Sequence, residues 1–283
     1  MPASTPAPRR PELLAPAGTL DMMRTAFAYG ADAVYAGQPR YSLRVRNNHF
    51  GQLDTLAAGM AEARAAGKLF YLVANIYPHN AKLRTFEDDM APVIALQPDA
   101  LIMADPGLIL MVRERWPEVP IHLSVQANTT NYASVRFWQS VGVKRIILSR
   151  ELSLDEVAEI RNACPDMELE VFVHGALCIA YSGRCLLSGY FNHRDPNQGS
   201  CTNSCRWDYK LHEAAEDAAG DVQACGGAPI GNPKDAGAVG TATRSTLDTA
   251  QGLARGGGPR HRGGSKEWLL EEGTRPGERM PIE

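Results

Sequence analysis

Between Cys178 and Cys205 the chain places four of its six cysteines, Cys178, Cys185, Cys201 and Cys205, in the pattern GALC-x6-C-x15-C-x3-C. Thiols grouped so closely form disulfides, bind zinc or hold an iron–sulfur cluster. The N-terminus is rich in Pro and Ala, with no apolar stretch long enough for a signal peptide, and no run of about 18 apolar residues suggests a membrane span. A chain of 283 residues buries a full core without cross-links, so a cytoplasmic, metal-binding role is expected over disulfides. Structural zinc sites favour two short C-x2–4-C knuckles, and only Cys201-x3-Cys205 approaches one. Four thiolates satisfy a [4Fe–4S] cluster without paired knuckles, and nearby Gly183, Ser188, Gly189, Gly199 and Ser200 let backbone N–H groups approach its sulfurs. Spacing alone leaves both metals open.

The elements that must position these thiols alternate between apolar runs and amphipathic stretches. Strands are expected at Glu12–Ala17, Ala33–Gly37, Leu69–Asn75, Ala100–Ala104, Ile121–Gln126, Arg145–Leu148 and Leu169–His174. Helices are expected at Leu20–Tyr29, Leu53–Ala66, Leu83–Leu96, Gly107–Trp116, Ala133–Val141 and Leu154–Ala163, with Asp54, Thr130 and Ser153 near N-cap positions. Near-continuous apolar strands such as FYLVAN are those of a parallel sheet covered on both faces. The expected fold is α/β, a TIM-like (β/α) barrel that is incomplete, with the cysteine segment at its C-terminal face. Ala15-Pro16-Ala17-Gly18 follows the first strand in place of a dinucleotide fingerprint.

In such a barrel function gathers where strands end. The residues there are Asn75, Asp105, Gln126, Asn128, Ser149, Arg150, Glu151 and His174. Of these, Asn75, Gln126, Glu151 and His174 are candidate substrate-binding groups; satisfying loop backbone is the plainer role for Asn75 and Gln126, and a strand-end hydrogen bond for His174. The loop after the second strand carries Arg40, Arg44 and Arg46. Arg44 and Arg46 alternate on an extended segment, so their guanidiniums can converge on one carboxylate or phosphate. No G-x-S-x-G, H-E-x-x-H or P-loop occurs, and no residue stands out as catalytic. A net charge of -3 argues against a strongly basic nucleic-acid coat protein and leaves room for a local basic patch.

The segments ELLAPAGTLDMMRTAFAYGADAVYAG, PRYSLRVRNN, HLSVQAN, ILSRELSLDE and FVHGALCIAYSGRCLLSGY resemble the collagenase-like peptidase family (U32), from about Glu12 to Tyr209. RDPNQGSCTNSCRW is most similar to its prephenate-dependent, tRNA-modifying branch. That resemblance implies oxygen-independent 5-hydroxylation of the wobble uridine of tRNA, with prephenate as cosubstrate. It also implies a [4Fe–4S] cluster on Cys178, Cys185, Cys201 and Cys205; related branches hydroxylate a ribosomal RNA cytidine or a ubiquinone precursor. The older family label is protease, and a collagenase-like peptidase or an inactive remnant are the competing readings. His49 departs from the family's acidic position. For tRNA, Arg40, Arg44, Arg46, Arg194 and Arg206 would form the patch, and Phe191, Trp207 and Tyr209 could stack a base or pack the cysteine loop. The expected organisation is a disordered 1–11, a barrel over 12–210 containing the cysteine segment 174–209, a Gly/Ala-rich linker at 211–266, and at 267–283 the start of a C-terminal region whose remainder is missing, so that activity of the chain alone is in doubt.

Overall fold

The computed structural model describes residues 10–43, 48–175, 178, 180–181, 184–206, 209–216, 222–224, 267–272 and 279–282. The chain divides into two units, 1–202 and 203–283.

The first unit is an α/β fold built on seven parallel strands: β1 (Leu14–Pro16), β2 (Ala33–Gly37), β3 (Leu69–Ala74), β4 (Ala100–Met103), β5 (Ile121–Leu123), β6 (Arg145–Ile147) and β7 (Glu168–Glu170). They pair in sequence order, β1 to β7. Between them run α1 (Leu20–Ala28), α2 (Leu53–Ala65), α3 (Asn80–Leu83), α4 (Phe86–Ile94), α5 (Pro106–Arg115), α6 (Tyr132–Ser140) and α7 (Leu154–Ala163). Among the described residues β7 does not pair with β1, so the barrel is incomplete.

Alternation along each strand sorts the core into two layers. Val34, Leu72, Leu101, Leu123 and Ile146 pack with Met23, Leu56, Met60, Met90, Leu108, Val135 and Ile160 from the helices. The intervening residues, Ala33, Tyr71, Val73, Ala100, Ile102 and Ile147, form a smaller cluster with Val125 on the other face. That concave face is polar at its N-terminal end. Arg145, at the start of β6, reaches Glu12, just before β1, through Nη1–Oε1 and Nη2–Oε2 contacts of 2.7 and 3.1 Å. Tyr71 of β3 donates to the same Glu12 at 3.0 Å, and Arg145 lies 5.4 Å from the Tyr71 ring centre. Groups from strands three and six reach one carboxylate beside strand one only if the sheet curls.

Local chemistry sets the helix ends. Ser153 and Glu156 form a reciprocal capping box at α7, and Asp105 accepts from Leu108 N at 2.8 Å ahead of Pro106. Two caps differ from expectation. Asn131, not Thr130, caps α6 by accepting from Ser134 N, and α2 is preceded by Gln52 without a side-chain bond, which puts Asp54 in the first turn. The helix expected over 83–96 is split at Arg84 and Thr85, where the Thr85 hydroxyl donates to Asp89 at 2.9 Å. The seventh strand ends at Glu170, short of the expected His174. Leu148 N makes the last bond to Glu170 O, at 2.9 Å, and Val171, Phe172 and Val173 beyond it are exposed. Arg10, expected to be disordered, instead pairs with Asp32 at 3.2 Å.

The second unit contains a four-stranded antiparallel sheet in the order β11 (Arg279–Ile282), β10 (Glu267–Glu272), β8 (Tyr209–Glu216), β9 (Val222–Ala224). Strands β8 and β9 therefore include residues of the stretch expected to be linker, because β8 pairs with β10 across six registered positions. Residues 1–9, 217–221 and 225–266 lie outside the described ones.

The polar end of the concave face titrates unusually. Burial pushes the Glu170 carboxyl up to about 7, with Arg145 opposing the rise and Glu12 adding to it. Burial, reinforced by Arg145, pushes His122 down to about 3. The stabilising contribution of Glu170 is therefore complete below its ordinary 4.5 and is lost as pH rises through 7. That of His122 is lost as pH falls below 6.5. E170Q removes the first slope alone. Its melting temperature should gain roughly 5 °C on wild type between pH 4 and pH 8, and thermal melts at both pH values check this; an unchanging difference would contradict the assignment.

Candidate active site at the barrel mouth

The C-terminal ends of β3 and β5 are stitched together by side chains. Asn75 Oδ1 accepts from Leu43 N at 3.2 Å and its Nδ2 donates to Ser124 Oγ at 3.1 Å. Asn75 thereby fixes the loop after β2, the loop-satisfying role. Gln126 sits in a short 3-10 turn, Val125–Ala127, and its carbonyl accepts the Tyr77 hydroxyl at 2.7 Å. Its half-buried side-chain amide has no hydrogen-bond partner among the described residues. Glu151 is half-buried after β6, and His174 is exposed beyond β7. Of the four, the structure joins Asn75 and Gln126 through Ser124, whose Oγ also lies 3.4 Å from Gln126 N.

The cysteine segment is anchored onto this mouth. Gln198 Nε2 donates to Tyr77 O, and Lys82 Nζ approaches Gln198 Oε1 at 3.4 Å. Arg184 stacks 6.0 Å from the Tyr77 ring centre. Burial raises the Tyr77 pKa, Arg184 opposing it, so the phenol stays protonated and able to donate to Gln126. Burial also lowers the Lys82 pKa, helped by Arg40. These contacts place residues 184–198, Cys185 among them, beside the loop after β3.

Inside the segment, Asn197 clamps Cys185. Its Oδ1 accepts from Cys185 N at 3.3 Å and its Nδ2 donates to Cys185 O at 3.0 Å. Ser188, the buried residue of α8 (Leu187–Asn192), bonds Thr202 through Thr202 N at 3.1 Å and Thr202 Oγ1 at 3.0 Å, which holds the chain next to Cys201. A cleft of about 300 Å³ opens between Cys185, Gly189, His193, Arg194, Asp195 and Asn197. Cys178 and Cys185 are half-buried, Cys201 is exposed, and Cys164 is buried under α6, donating to Tyr132 O at 3.7 Å. In the second unit Cys205 lies half-buried in a 3-10 turn, Ser204–Arg206. The donor set suits a metal that prefers thiolates. Among the described residues no three His, Cys, Asp or Glu side chains form a metal-sized group; residues 176, 177, 179, 182 and 183 of the segment lie outside them.

The arginines sort differently from expectation. Arg40 pairs with Asp89 at 2.7 Å, and Asp89 also accepts the Tyr41 hydroxyl at 2.6 Å, so Arg40 is held by the barrel and is not an open cation. Burial works against that carboxylate, but Tyr41, Thr85 and Arg40 hold its pKa below the ordinary value. Arg194 is exposed, and the Phe191 ring stands edge-on to that of Tyr190 at 5.5 Å. Arg44, Arg46, Trp207 and Cys225 lie outside the described residues, as do the side chains of Arg206 and Tyr209. Tyr77, Asn197 and Gln198 were not legible as site residues, since nothing local marks a residue whose partner is 12 to 121 positions away.

Exchange of Asn197 for Ala should free both Cys185 backbone groups. Amide exchange at Cys185 should then accelerate roughly tenfold, the equivalent of about 1.4 kcal/mol, with amides of β2–β4 unchanged. Unchanged protection at Cys185 would show that the clamp does not hold it.

Comparison with known proteins places the chain in a family. The model of Peptidase family U32 matches residues 18–238. The "tRNA hydroxylation protein P" of Escherichia coli (strain K12) is 58% identical over 272 residues, 96% of this chain and 55% of that protein. Its namesake in Haemophilus influenzae is 66% identical over 213 residues, 75% of this chain and 46% of that protein. A 23S rRNA 5-hydroxycytidine synthase of Escherichia coli is 34% identical over 209 residues, 74% of this chain and 31% of that protein. The chain thus spans about half the length of the first two relatives. With the family model covering most of an incomplete (β/α) barrel, the chain belongs to Peptidase family U32.

Proposed function

We propose that this chain is the barrel of an RNA-modifying enzyme that hydroxylates the wobble uridine of tRNA to 5-hydroxyuridine, without molecular oxygen and with prephenate as cosubstrate, in the cytoplasm. The observation that carries the reading is the 58% identity over 272 residues to a tRNA hydroxylation protein. The likeness to an rRNA hydroxycytidine synthase supports the same chemistry on a pyrimidine. The docking of residues 184–198 on the barrel mouth supports a site there. No helix among the described residues is long and apolar enough to cross a membrane.

In this reading Cys178, Cys185, Cys201 and Cys205 hold a [4Fe–4S] cluster, a proposal resting on the family resemblance of their segment together with their type and spacing. Such a cluster supplies one-electron redox chemistry. The chain's own residues bind and orient. Asn197 fixes the Cys185 backbone, Tyr77 and Asn75 hold the loops at the mouth, and Gln126 offers an unpaired amide to a ligand. Arg44 and Arg46 take an anionic substrate or RNA phosphate. The peptidase reading has the family name and no nucleophile motif behind it.

The test is complementation. Cells lacking their native tRNA hydroxylase receive this chain, alone and extended to the length of the Escherichia coli relative, and their tRNA is examined by mass spectrometry. Return of 5-hydroxyuridine derivatives, at least with the extended form, is expected. No return in either form, with gelatin cleavage by purified protein, would favour the peptidase.

Two further outcomes follow from the assigned roles. Each Cys→Ala variant of the four should lose iron and sulfide from anaerobically purified protein; zinc in wild type would refute the cluster. The double variant R44A/R46A should keep its circular dichroism spectrum and lose at least tenfold in affinity for prephenate or tRNA, about 1.4 kcal/mol. Unaltered affinity for both would make the loop a solvated face.

A further inference from the structure

Three buried polar atoms at the ends of β5 and β6 have no hydrogen-bond partner among the described residues: Asn128 Oδ1, Thr129 Oγ1 and Arg150 Nε. Native folds seldom leave such atoms unmatched, and a group of them calls for an explanation. They are not scattered. Thr129 follows β5, Arg150 follows β6, and Ser149 N donates to Thr129 O at 3.2 Å, which ties the two loops together. Thr129 is 1% exposed. Asn128 holds a left-handed backbone, φ 52°, that turns the chain out of the 3-10 turn carrying Gln126.

Arg40, Arg24 and Arg145 each sit in an ion pair, whereas Arg150 has neither a hydrogen bond nor a salt bridge among the described residues. Its guanidinium instead lies 5.3 Å from the centre of the Phe172 ring, just past β7. A stacked guanidinium is fixed in orientation and keeps its N–H edge for a planar anion.

We propose that Asn128, Thr129 and Arg150 form a subsite for a small hydroxycarboxylate at the barrel mouth. Arg150 and the Thr129 hydroxyl donate to the carboxylate oxygens, and Asn128 Oδ1 accepts the ligand's hydroxyl proton. The planar guanidinium edge matches a planar carboxylate better than tetrahedral inorganic phosphate, which offers Asn128 Oδ1 at most one hydroxyl. The inference rests on reading the mouth as the active site and names the residues that receive the acid cosubstrate.

Calorimetry on the full chain tests it with three probes: prephenate, malate and inorganic phosphate. Wild type should bind at least one of the two acids better than phosphate. R150Q should weaken that binding roughly 30-fold, R150K should restore part of it, and T129V should weaken it roughly fivefold. Circular dichroism and a melt accompany each variant, and T129V carries the test if R150Q does not fold. Binding of malate but not prephenate, abolished in R150Q, would support the subsite while removing prephenate from the proposed function. Equal acid binding by wild type and folded R150Q, or no binding of either acid by wild type, would overturn the subsite.

Discussion

Arg145 reaching from the sixth strand to Glu12 beside the first is the contact on which the shape of the barrel most depends. Seven parallel strands in sequence order could lie in an open twisted sheet. Here burial opposes the charge on Arg145, yet the hydrogen bonds it donates to Glu12 and Glu168 hold its pKa above the ordinary value. Its side chain is 13% exposed, so removing one partner would leave a poorly solvated charge at a cost of about 3 kcal/mol, the lower end for buried pairs. A contact of this kind is weak as a source of net stability. Its value lies in selecting the curled arrangement, since no flat sheet brings these groups together.

The two ends of the concave face differ in how their polar groups are matched. At the N-terminal end Glu12, Tyr71, Arg145 and Glu168 satisfy one another, while His122 Nδ1 and Glu170 Oε2 beside them have no hydrogen bond among the described residues. At the C-terminal end Arg150, Thr129, Asn128 and Gln126 are left with unused capacity. Polar groups matched within the protein favour folding; polar groups positioned but unmatched are ready for a ligand.

Between mouth and cysteines the coupling is through few residues. Tyr77 accepts Gln198 through its carbonyl, meets Arg184 through its ring and reaches Gln126 through its hydroxyl. A single aromatic therefore links the segment bearing Cys185 to the turn carrying Gln126. Asn197 adds the local clamp.

The amino-acid sequence by itself determined the α/β alternation, the seven strands to within a few residues, the capping box at Ser153 and the cysteine spacing. Each of these is a local pattern: periodicity, side-chain propensity or a short motif. What it could not determine were pairings over long separations. Arg40 looked like an open cation until Asp89 was placed against it, and Arg150 looked like one of several strand-end residues until it proved to have no acid partner among the described residues. The seventh strand stopped early because its neighbour offered nothing more to pair with, and residues expected to be linker joined a sheet because β10 met them in register. A charge or a backbone N–H is spoken for only by what lies across space, and that is decided by tertiary structure.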